Sequence, residues 1–373
     1  MTNHRLSILA AAILIGVTSI PMTAVAEEDF LSLYNEYLFH QLKNSPRSAG
    51  MGNAYSALQG ADMSFSGNPA SLGFLEERYV GLEGGYEELL GSNSIDLGAL
   101  GSDSASQEGE MWDVGIGVAY PFEWGGLALN YGYRDDDVES ENFNVGGARY
   151  EIEQELERHN VSLTGGYRVN EQFAVGYRYS YITWDQEGAL MQTGGFPARA
   201  VGNLGEDFDG HRNHAGLQYM VNDCWVIGFD GMYGLGERDF DSGGDADADS
   251  WFVRGGMAYT FLNQLPLTLA MDIKFEQLDL DGAGANVDEE IWGVHLGAEY
   301  EVYEQLFLRA GYQLEDFNYD DGPNAIDFSQ TLNGLTGGLG YEWNDVSFDY
   351  SIFWNDTGHG GDLIHVFGVG YHF

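Results

Sequence analysis

Residues 346–354 read VSFDYSIFW, and the last seven residues, 367–373, read FGVGYHF. In both stretches an apolar or aromatic side chain stands at every second position, which is the period of a β-strand with one apolar face. Except for Phe353, the positions between them hold small or polar residues such as Ser347, Asp349 and Gly368. The end of the chain therefore predicts two strands, each with one apolar side.

The same pattern recurs backward along the chain to Tyr79 and gives fourteen segments in total. The segments are Val80–Tyr86, Trp112–Phe122, Leu127–Tyr133, Val161–Val169, Phe173–Tyr181, Ala215–Val221, Trp225–Leu235, Trp251–Phe261, Leu265–Phe275, Trp292–Val302, Leu306–Leu314, Leu335–Trp343, Val346–Trp354 and Phe367–Phe373. Their apolar faces contain no Asp, Glu, Lys or Arg, whereas the intervening positions hold Arg168, Arg178, Arg254, Lys274, Arg309, Asp113, Asp230, Asp272, Glu299 and Asp349. An even strand number is what bacterial single-chain barrels require.

This segregation of charge favours a membrane barrel over a soluble β-sandwich. A lipid-facing charge at mid-bilayer costs about 2–4 kcal/mol, so the uncharged face is expected to meet lipid and the other face a polar lumen. Aromatic residues at segment ends, such as Tyr341 and Trp343, are typical of an interfacial girdle. Short links alternate with longer ones, as periplasmic turns alternate with outer loops. The prediction is an all-β fold, a membrane-spanning antiparallel barrel of about fourteen strands over residues 78–373, in the cell outer membrane.

The first 26 residues have the pattern of a secretory signal peptide. Arg5 precedes an apolar stretch from Leu6 to Val17, and the small residues Ala24 and Ala26 lie directly before Glu27. The whole chain of 373 residues has 15 Lys and Arg against 59 Asp and Glu, a formal net charge of −44. That balance argues against nucleic acid as a partner.

Residues 27–77 lack the strand pattern and contain two short motifs. A 3–4 residue spacing of apolar side chains predicts an amphipathic helix over residues 30–42, before RSAGMGNA at 47–54 and MSFSGNPASL at 63–72. The two motifs resemble the N-terminal hatch of the FadL-like family of outer-membrane hydrophobic-compound transporters. The resemblance implies that residues 27–77 form a plug inside the lumen. The inward glycines of the strands leave volume for such a segment.

The resemblance also implies passive uptake of a hydrophobic small molecule, such as a fatty acid or hydrocarbon. It suggests ligand-binding roles for hatch and outer-loop residues, namely Gly50, Gly52, Asn68, Pro69, Ala70, Leu190, Met191 and Phe196. The last three belong to the predicted outer loop 185–209, the most apolar of the longer loops, where exposed apolar side chains indicate a capture site. The next loop, 237–249, is acidic and departs from the family pattern. The third segment shows no interruption that would indicate a lateral exit.

Two other functions remain open for a barrel of this kind. PorV-type barrels of the type IX secretion system share the fourteen strands and a similar N-terminal motif, which would imply a protein-handling role. A general porin or structural outer-membrane protein is the third reading, although a plugged lumen would block ion flow.

The acidic stretches invite a metal-ion reading, since Asp245, Asp247 and Asp249 have the alternate spacing of a calcium loop. The glycine and closing glutamate of an EF-hand are absent, and a solvated surface bridged by cations to lipopolysaccharide is favoured instead. We expect no metal site, no cofactor and no enzymatic activity, because the chain contains no Gly-x-Ser-x-Gly motif and no metal-ligand spacing. Expected partners are outer-membrane lipid, lipopolysaccharide and, through the terminal Phe373, the barrel-insertion machinery.

Overall fold

The computed structural model describes residues 45–96, 102–140, 143–145, 148–192, 199–203, 205–240, 245–261, 265–282, 285–320, 328–356 and 361–373. The predicted signal peptide, the predicted helix over residues 30–42 and the loop residue Phe196 lie outside these ranges.

A closed antiparallel barrel of fourteen strands forms the wall, as the sequence predicts. The wall strands are β1 Tyr79–Asp96, β2 Ser102–Phe122, β3 Gly125–Ser140, β5 Ala148–Arg168, β6 Phe173–Gln192, β8 Glu206–Met220, β9 Trp225–Phe240, β10 Asp245–Thr260, β11 Leu267–Gly282, β12 Ala285–Tyr303, β13 Leu306–Asp320, β14 Phe328–Trp343, β15 Val346–Asp356 and β16 Gly361–His372. Two short strands, β4 Phe143–Val145 and β7 Arg199–Asn203, extend the sheet beside β5 and β6. Pairing of β1 with β16 and of β5 with β6 closes the barrel.

Both ends of the wall lie at one edge, where the links between strands are short. Tyr79 pairs with His372, and the backbone of Arg78 exchanges hydrogen bonds with Phe373. We call this edge the short-turn edge and the opposite one the loop edge. The terminal Phe373 is exposed and its ring lies 5.5 Å from that of Tyr371. Its role in barrel insertion stays a prediction.

The chain before the wall, residues 45–75, is named the inner segment. It contains helix α1 Pro46–Gly50, helix α2 Met63–Ser66 and a 3₁₀ helix Pro69–Phe74. Pro46 and Pro69 each stand at a helix start, where their missing N–H costs nothing. Among the described residues, no helix is long and apolar enough to cross a membrane.

The strands run farther toward the loop edge than the apolar pattern predicts. Strand β6 continues to Gln192, so Leu190 and Met191 are strand residues and not loop residues. Likewise Asp245, Asp247 and Asp249 belong to β10, and their alternate spacing is the outward face of a strand, not a calcium loop. The prediction of long acidic loops was wrong. In these stretches acidic side chains alternate with small or apolar ones, and a strand can form from such a pattern with its acidic face exposed and its other face buried.

The two faces of a strand exchange polarity along its length. Near the short-turn edge of β8, Leu217 is exposed and Gln218 is buried, whereas near the loop edge Asp207 is exposed and Phe208 is buried. Strand β5 does the same, with Leu163 exposed in one half and Leu156 buried in the other. We call the two parts the membrane half and the outer half. The membrane half has an apolar exterior, and the outer half has an acidic exterior with an interior that holds apolar side chains beside buried ion pairs such as Arg238 with Glu206.

Candidate functional site

The inner segment packs against inward-facing glycines of the wall. At each of these positions a Cβ atom would lie within 3.3 Å of the inner segment, and the glycines are Gly117, Gly126, Gly166, Gly176, Gly216, Gly228, Gly297, Gly311, Gly338 and Gly368. Glycine lets two backbones approach where any side chain would prevent it. The inner segment therefore fills the space that these inward glycines leave beside the wall.

Asn68 joins the inner segment to two wall strands. Its side chain is fully buried, and its Nδ2 donates to the carbonyl oxygens of Ser56, Leu217 and Phe229 at 2.9, 3.2 and 3.3 Å. Its Oδ1 accepts from the Ala70 N–H at 3.0 Å and so caps the 3₁₀ helix. One side chain thus holds the helix start, a turn of the inner segment and the wall together.

Two wall carboxylates hold the turn over residues 55–58. Asp272 Oδ2 accepts from the backbone N–H groups of Tyr55 and Ser56 at 2.8 and 2.9 Å. Asp230 Oδ1 accepts from the Ser56 hydroxyl at 2.8 Å, and Asp230 Oδ2 lies 3.0 Å from Nε2 of His214. Ser56 therefore donates to the carboxylate rather than to the histidine, so these three groups do not form a serine–histidine nucleophile.

Arg254 covers the ring of Tyr55 from the wall side. Its guanidinium carbon lies 4.1 Å from the ring centroid, and its Nη1 donates to the Asn53 carbonyl oxygen at 3.0 Å. Burial raises the pKa of the Tyr55 phenol despite this nearby positive charge. Tyr55 is therefore a neutral packing residue.

Gly50 and Gly52 lie against the opposite arc of the wall, on β12 to β15. The Thr336 hydroxyl donates to the Gly50 carbonyl oxygen at 3.0 Å and accepts from the Gly52 N–H at 3.0 Å. Gly52 has a φ of +64°, and its carbonyl oxygen lies 2.9 Å from Nδ1 of His295. A left-handed backbone in contact with the wall explains why glycine stands at this position.

Arg47 makes the strongest polar link between the inner segment and the wall. Its Nε and Nη2 donate to both oxygens of Glu299 at 2.9 and 2.7 Å, and Arg309 donates to the same carboxylate at 2.8 Å. Burial opposes the charge on Arg47, but the Glu299 and Asp62 carboxylates outweigh it and raise the pKa of Arg47 above its ordinary value. A bidentate, charge-assisted pair of this kind fixes orientation as well as position.

The candidate residues of the sequence therefore fall into separate places. Asn68, Pro69 and Ala70 lie beside β6 and β8, and Gly50 and Gly52 lie across the lumen from them. Leu190 is on β6 as well, but fourteen residues beyond Gly176, the residue that Pro69 contacts.

At about 3.3 Å per residue that separation is roughly 45 Å along the strand. The side chains of Leu190 and Met191 and the whole of Phe196 lie outside the described residues. The capture site proposed for them remains a prediction.

An apolar cluster lines the lumen of the outer half, between the inner segment and the loop edge. It consists of Leu156, Ile182, Trp184, Phe208, Met232, Ala248, Phe252 and Leu278, all buried and all on inward positions of β5 to β11. The rings of Trp184 and Phe208 lie 4.9 Å apart. The sequence pattern did not predict this cluster, because these residues were assigned to loops or to a polar lumen. In the sequence, the cluster is marked by a shift of the apolar residues from one set of alternate positions to the other.

Comparison with known proteins agrees with this architecture. A family model described as an outer membrane protein beta-barrel domain matches residues 191–333. No curated protein matches the sequence.

Solved structures give a match along nearly the whole chain. The monoaromatic hydrocarbon channel CymD is 17% identical with a TM-score of 0.56, and the match covers 90% of this chain and 99% of that one. The Pseudomonas putida toluene transporter TodX is 13% identical with a TM-score of 0.56, over 90% and 99% of the two chains. The chain is an outer-membrane β-barrel with the fold of these channels. A Pseudomonas aeruginosa FadL homologue also matches, at 16% identity, a TM-score of 0.50, and 88% and 98% coverage.

The fold expected from the resemblance to FadL-like proteins is thus confirmed. Two of the solved structures named above are described as a hydrocarbon channel and a toluene transporter. Strand β3 is the third segment of the sequence, whose pattern shows no interruption. It pairs with β2 and β5 without a break in register from Gly125 to Glu139.

Proposed function

We propose that the protein passes hydrophobic small molecules, of the fatty acid or hydrocarbon class, passively across the outer membrane. The observation that carries this proposal is the apolar cluster on the lumenal face of the outer half. A channel for hydrophilic solutes gains nothing from indole and phenyl rings facing its lumen, whereas an apolar passenger leaves water on meeting them. The matching proteins named as toluene transporter and hydrocarbon channel support the same class of passenger.

The cluster offers one polar feature to a passenger. The indole N–H of Trp184 is buried and has no hydrogen-bond acceptor among the described residues. An oxygen atom of a passing ligand would satisfy it, and a pure hydrocarbon would stack on the ring instead. Gly210 and Gly236 flank the Phe208 ring, and the Arg238 guanidinium, paired with Glu206, lies 6.0 Å from the centroid of the Trp184 ring on the same inner face.

The inner segment acts in this proposal as part of a hatch formed by residues 27–77. It lies in the membrane half, on the short-turn side of the cluster, so a passenger leaving the cluster meets it next. Asn68, Pro69 and Ala70 set its position on β6 and β8, while Gly50 and Gly52 set it on the far arc.

The transport proposal is tested with a matched pair of tryptophan variants. Trp184→Gln places an amide inside the cluster, and Trp292→Gln makes the same change on an outward position that is 53% exposed. Uptake of labelled toluene and of a labelled long-chain fatty acid is measured in cells whose only such barrel is the variant. We expect reduced uptake for Trp184→Gln and wild-type uptake for Trp292→Gln. Wild-type uptake of both probes by Trp184→Gln would refute a passage through the cluster.

The hatch is tested with a double replacement of Asn68 and Pro69 by alanine. The change removes three hydrogen bonds that Asn68 donates and frees the torsion that proline fixes, so it loosens the inner segment. We expect normal membrane insertion, raised single-channel conductance and impaired uptake. A variant that inserts normally and matches the wild type in both assays would show that residues 45–72 are an ordinary linker.

A further inference from the structure

A small cavity lies beside the inner segment and borders the apolar cluster, because Asn160 of its lining pairs with Ile182 of the cluster. Its volume is about 20 Å³, which is room for about one water molecule. It is lined by Phe65, Ser66, Glu83, Asp113, Gly115, Asn130, Asn160, Ser162, Arg178 and Arg212. Eight of these ten residues belong to the wall, so the cavity is mainly a property of the barrel.

The lining is polar and partly unpaired. The Oδ1 atoms of Asn130 and Asn160 are buried without a hydrogen-bond donor among the described residues, and Asn160 is only 6% exposed. A buried acceptor without a partner costs about 1–3 kcal/mol, so these amides require a hydrogen-bonding guest. A water molecule fits the volume and can donate a hydrogen bond to such an oxygen.

Charge is distributed unevenly around the cavity. Glu83 and Asp113 come from β1 and β2, and Arg178 and Arg212 come from β6 and β8 on the other side. Opposed charges across a narrow space orient water and stabilise small ions of either sign. An apolar molecule gains nothing in such a place, so the cavity and the cluster suit different solutes.

Gly115 and Gly117 are adjacent inward positions of β2 with different surroundings. A Cβ atom at Gly115 would meet only one atom within 4 Å, the carbonyl oxygen of Tyr131 at 3.9 Å. A Cβ atom at Gly117, two residues nearer the short-turn edge, would collide with the Phe65 ring at 2.5 Å. The space beside the inward face of β2 is therefore free at Gly115, and Phe65 fills it at Gly117, closer to the short-turn edge.

The Phe65 ring closes the cavity on its short-turn side. It contacts the notch formed by Gly81 and Gly117, and its centroid lies 5.6 Å from that of Tyr79, the first residue of the wall. Phe65 is 5% exposed and belongs to the inner segment, not to the barrel. An apolar ring at a constriction stops water and ions because the narrow space dries.

We propose that this cavity belongs to a hydrated route for water and small inorganic ions, which the Phe65 ring closes toward the short-turn edge. The cavity borders the apolar cluster, but its lining is polar and charged and favours solutes that the cluster does not, so the route adds an activity to the transport of hydrophobic molecules and does not depend on it. To open the route, the Phe65 ring must leave the glycine notch and its packing against Leu72, Leu75 and Tyr79.

The first test compares two alanine variants of the inner segment in planar bilayers with potassium chloride. Phe65→Ala removes the ring from the notch, and Leu58→Ala removes a buried apolar side chain of the same segment that packs in a different cluster, with Tyr55 and Met63. We expect a several-fold rise in single-channel conductance for Phe65→Ala and wild-type conductance for Leu58→Ala. Unchanged conductance of Phe65→Ala, or an equal rise in both variants, would overturn the proposal.

The second test places a reporter in the cavity. Gly115→Cys, in a chain whose single cysteine is removed by Cys224→Ser, has room for its thiol because no atom approaches the Cβ position closely. A cationic methanethiosulfonate reagent added in water forms a mixed disulfide with this thiol and releases a sulfinate. We expect slow labelling when Phe65 is present and much faster labelling in the Phe65→Leu background, which keeps an apolar side chain for folding.

Equal labelling rates with phenylalanine and leucine at position 65 would refute the gate. Both tests use ions or a charged reagent and no hydrophobic passenger. Their failure leaves the uptake assay of the tryptophan pair unaffected, and a failed uptake assay leaves these results standing.

Discussion

The membrane half and the outer half are built from the same strands with opposite polarity. On β5, Leu163 faces outward at 56% exposure while Thr164 is buried, but ten residues closer to the loop edge Glu153 is exposed and Leu156 nearby is buried. Lipid surrounds the first part and water the second. The comparison teaches that the strand pattern follows the solvent, since apolar side chains face whichever side excludes water.

The two halves also fill their lumens differently. The outer half packs its own apolar side chains inward, as a soluble barrel does. The membrane half directs its apolar side chains to lipid, and its inward face consists of glycines and charged groups that receive the inner segment. A barrel whose apolar residues meet lipid needs another source of packing, and the chain ahead of the wall supplies it.

The largest effect is expected from the charges that join the inner segment to the membrane half. Glu299→Leu leaves Arg47 and Arg309 buried without their shared carboxylate, which we expect to cost about 3–5 kcal/mol of unfolding free energy. Urea unfolding of the barrel in lipid vesicles measures the loss, and protease cleavage within residues 45–75 reports release of the inner segment. A variant with wild-type stability would show that the inner segment does not support the wall.

The next effect tests the difference in solvent directly. We expect Leu163→Arg, on the outward face of the membrane half, to lose about 2–4 kcal/mol because a charge then faces lipid. Glu157→Arg, on the same face of the same strand in the outer half, should not lower stability, because Asp135 and Asp185 stand opposite it. Urea unfolding in vesicles compares the two, and equal losses would mean that both positions lie in the same solvent.

A smaller effect is expected at the cap of the 3₁₀ helix. Asn68→Ala removes the hydrogen bond to the Ala70 N–H together with the three that Asn68 donates, and we expect about 0.5–2 kcal/mol of the loss to come from the cap, with Ser71→Ala as the control on the same helix. Hydrogen exchange at the Ala70 amide should accelerate in Asn68→Ala only. Faster exchange in both variants would assign the effect to the helix as a whole.

The smallest effect is expected on the acidic exterior of the outer half. Glu155 stands opposite Asp137 on β3 and Glu187 on β6, and like charges directly opposite one another destabilise a sheet by about 0.2–1 kcal/mol for each pair. Glu155→Gln should therefore stabilise the barrel slightly at low salt, and the gain should shrink as salt screens the wild-type repulsion. A loss of stability on this change would indicate that the carboxylate has a favourable partner.

The number of strands, and which side chains of the membrane half point inward or outward, follow from the sequence pattern alone. All fourteen alternating segments are strands, and inward positions predicted for Asp230, Asp272 and Glu299 are buried. The ends of the strands did not follow, because stretches such as Asp245–Thr260 continue the alternation with carboxylates in place of apolar residues. A search for apolar alternation ends where the exterior becomes acidic.

The candidate site was predictable only as a set of positions. The motif residues Gly50, Gly52, Asn68 and Pro69 stood out in the sequence, but not the fact that they contact opposite arcs of the wall. Arg47 and its partner Glu299 are 252 residues apart, and no spacing rule connects them.

The sequence by itself determined the class of structure, because period-2 alternation with charge confined to one face is a local property that each strand carries alone. Only the tertiary structure decided which groups the inward faces of the strands contact. The closure and stagger of the whole barrel decide which glycine contacts which residue of the inner segment and where Phe65 closes the polar cavity. They also bring the rings of Trp184 and Phe208 together. Those contacts join strands far apart in the chain, so only the closed wall specifies them.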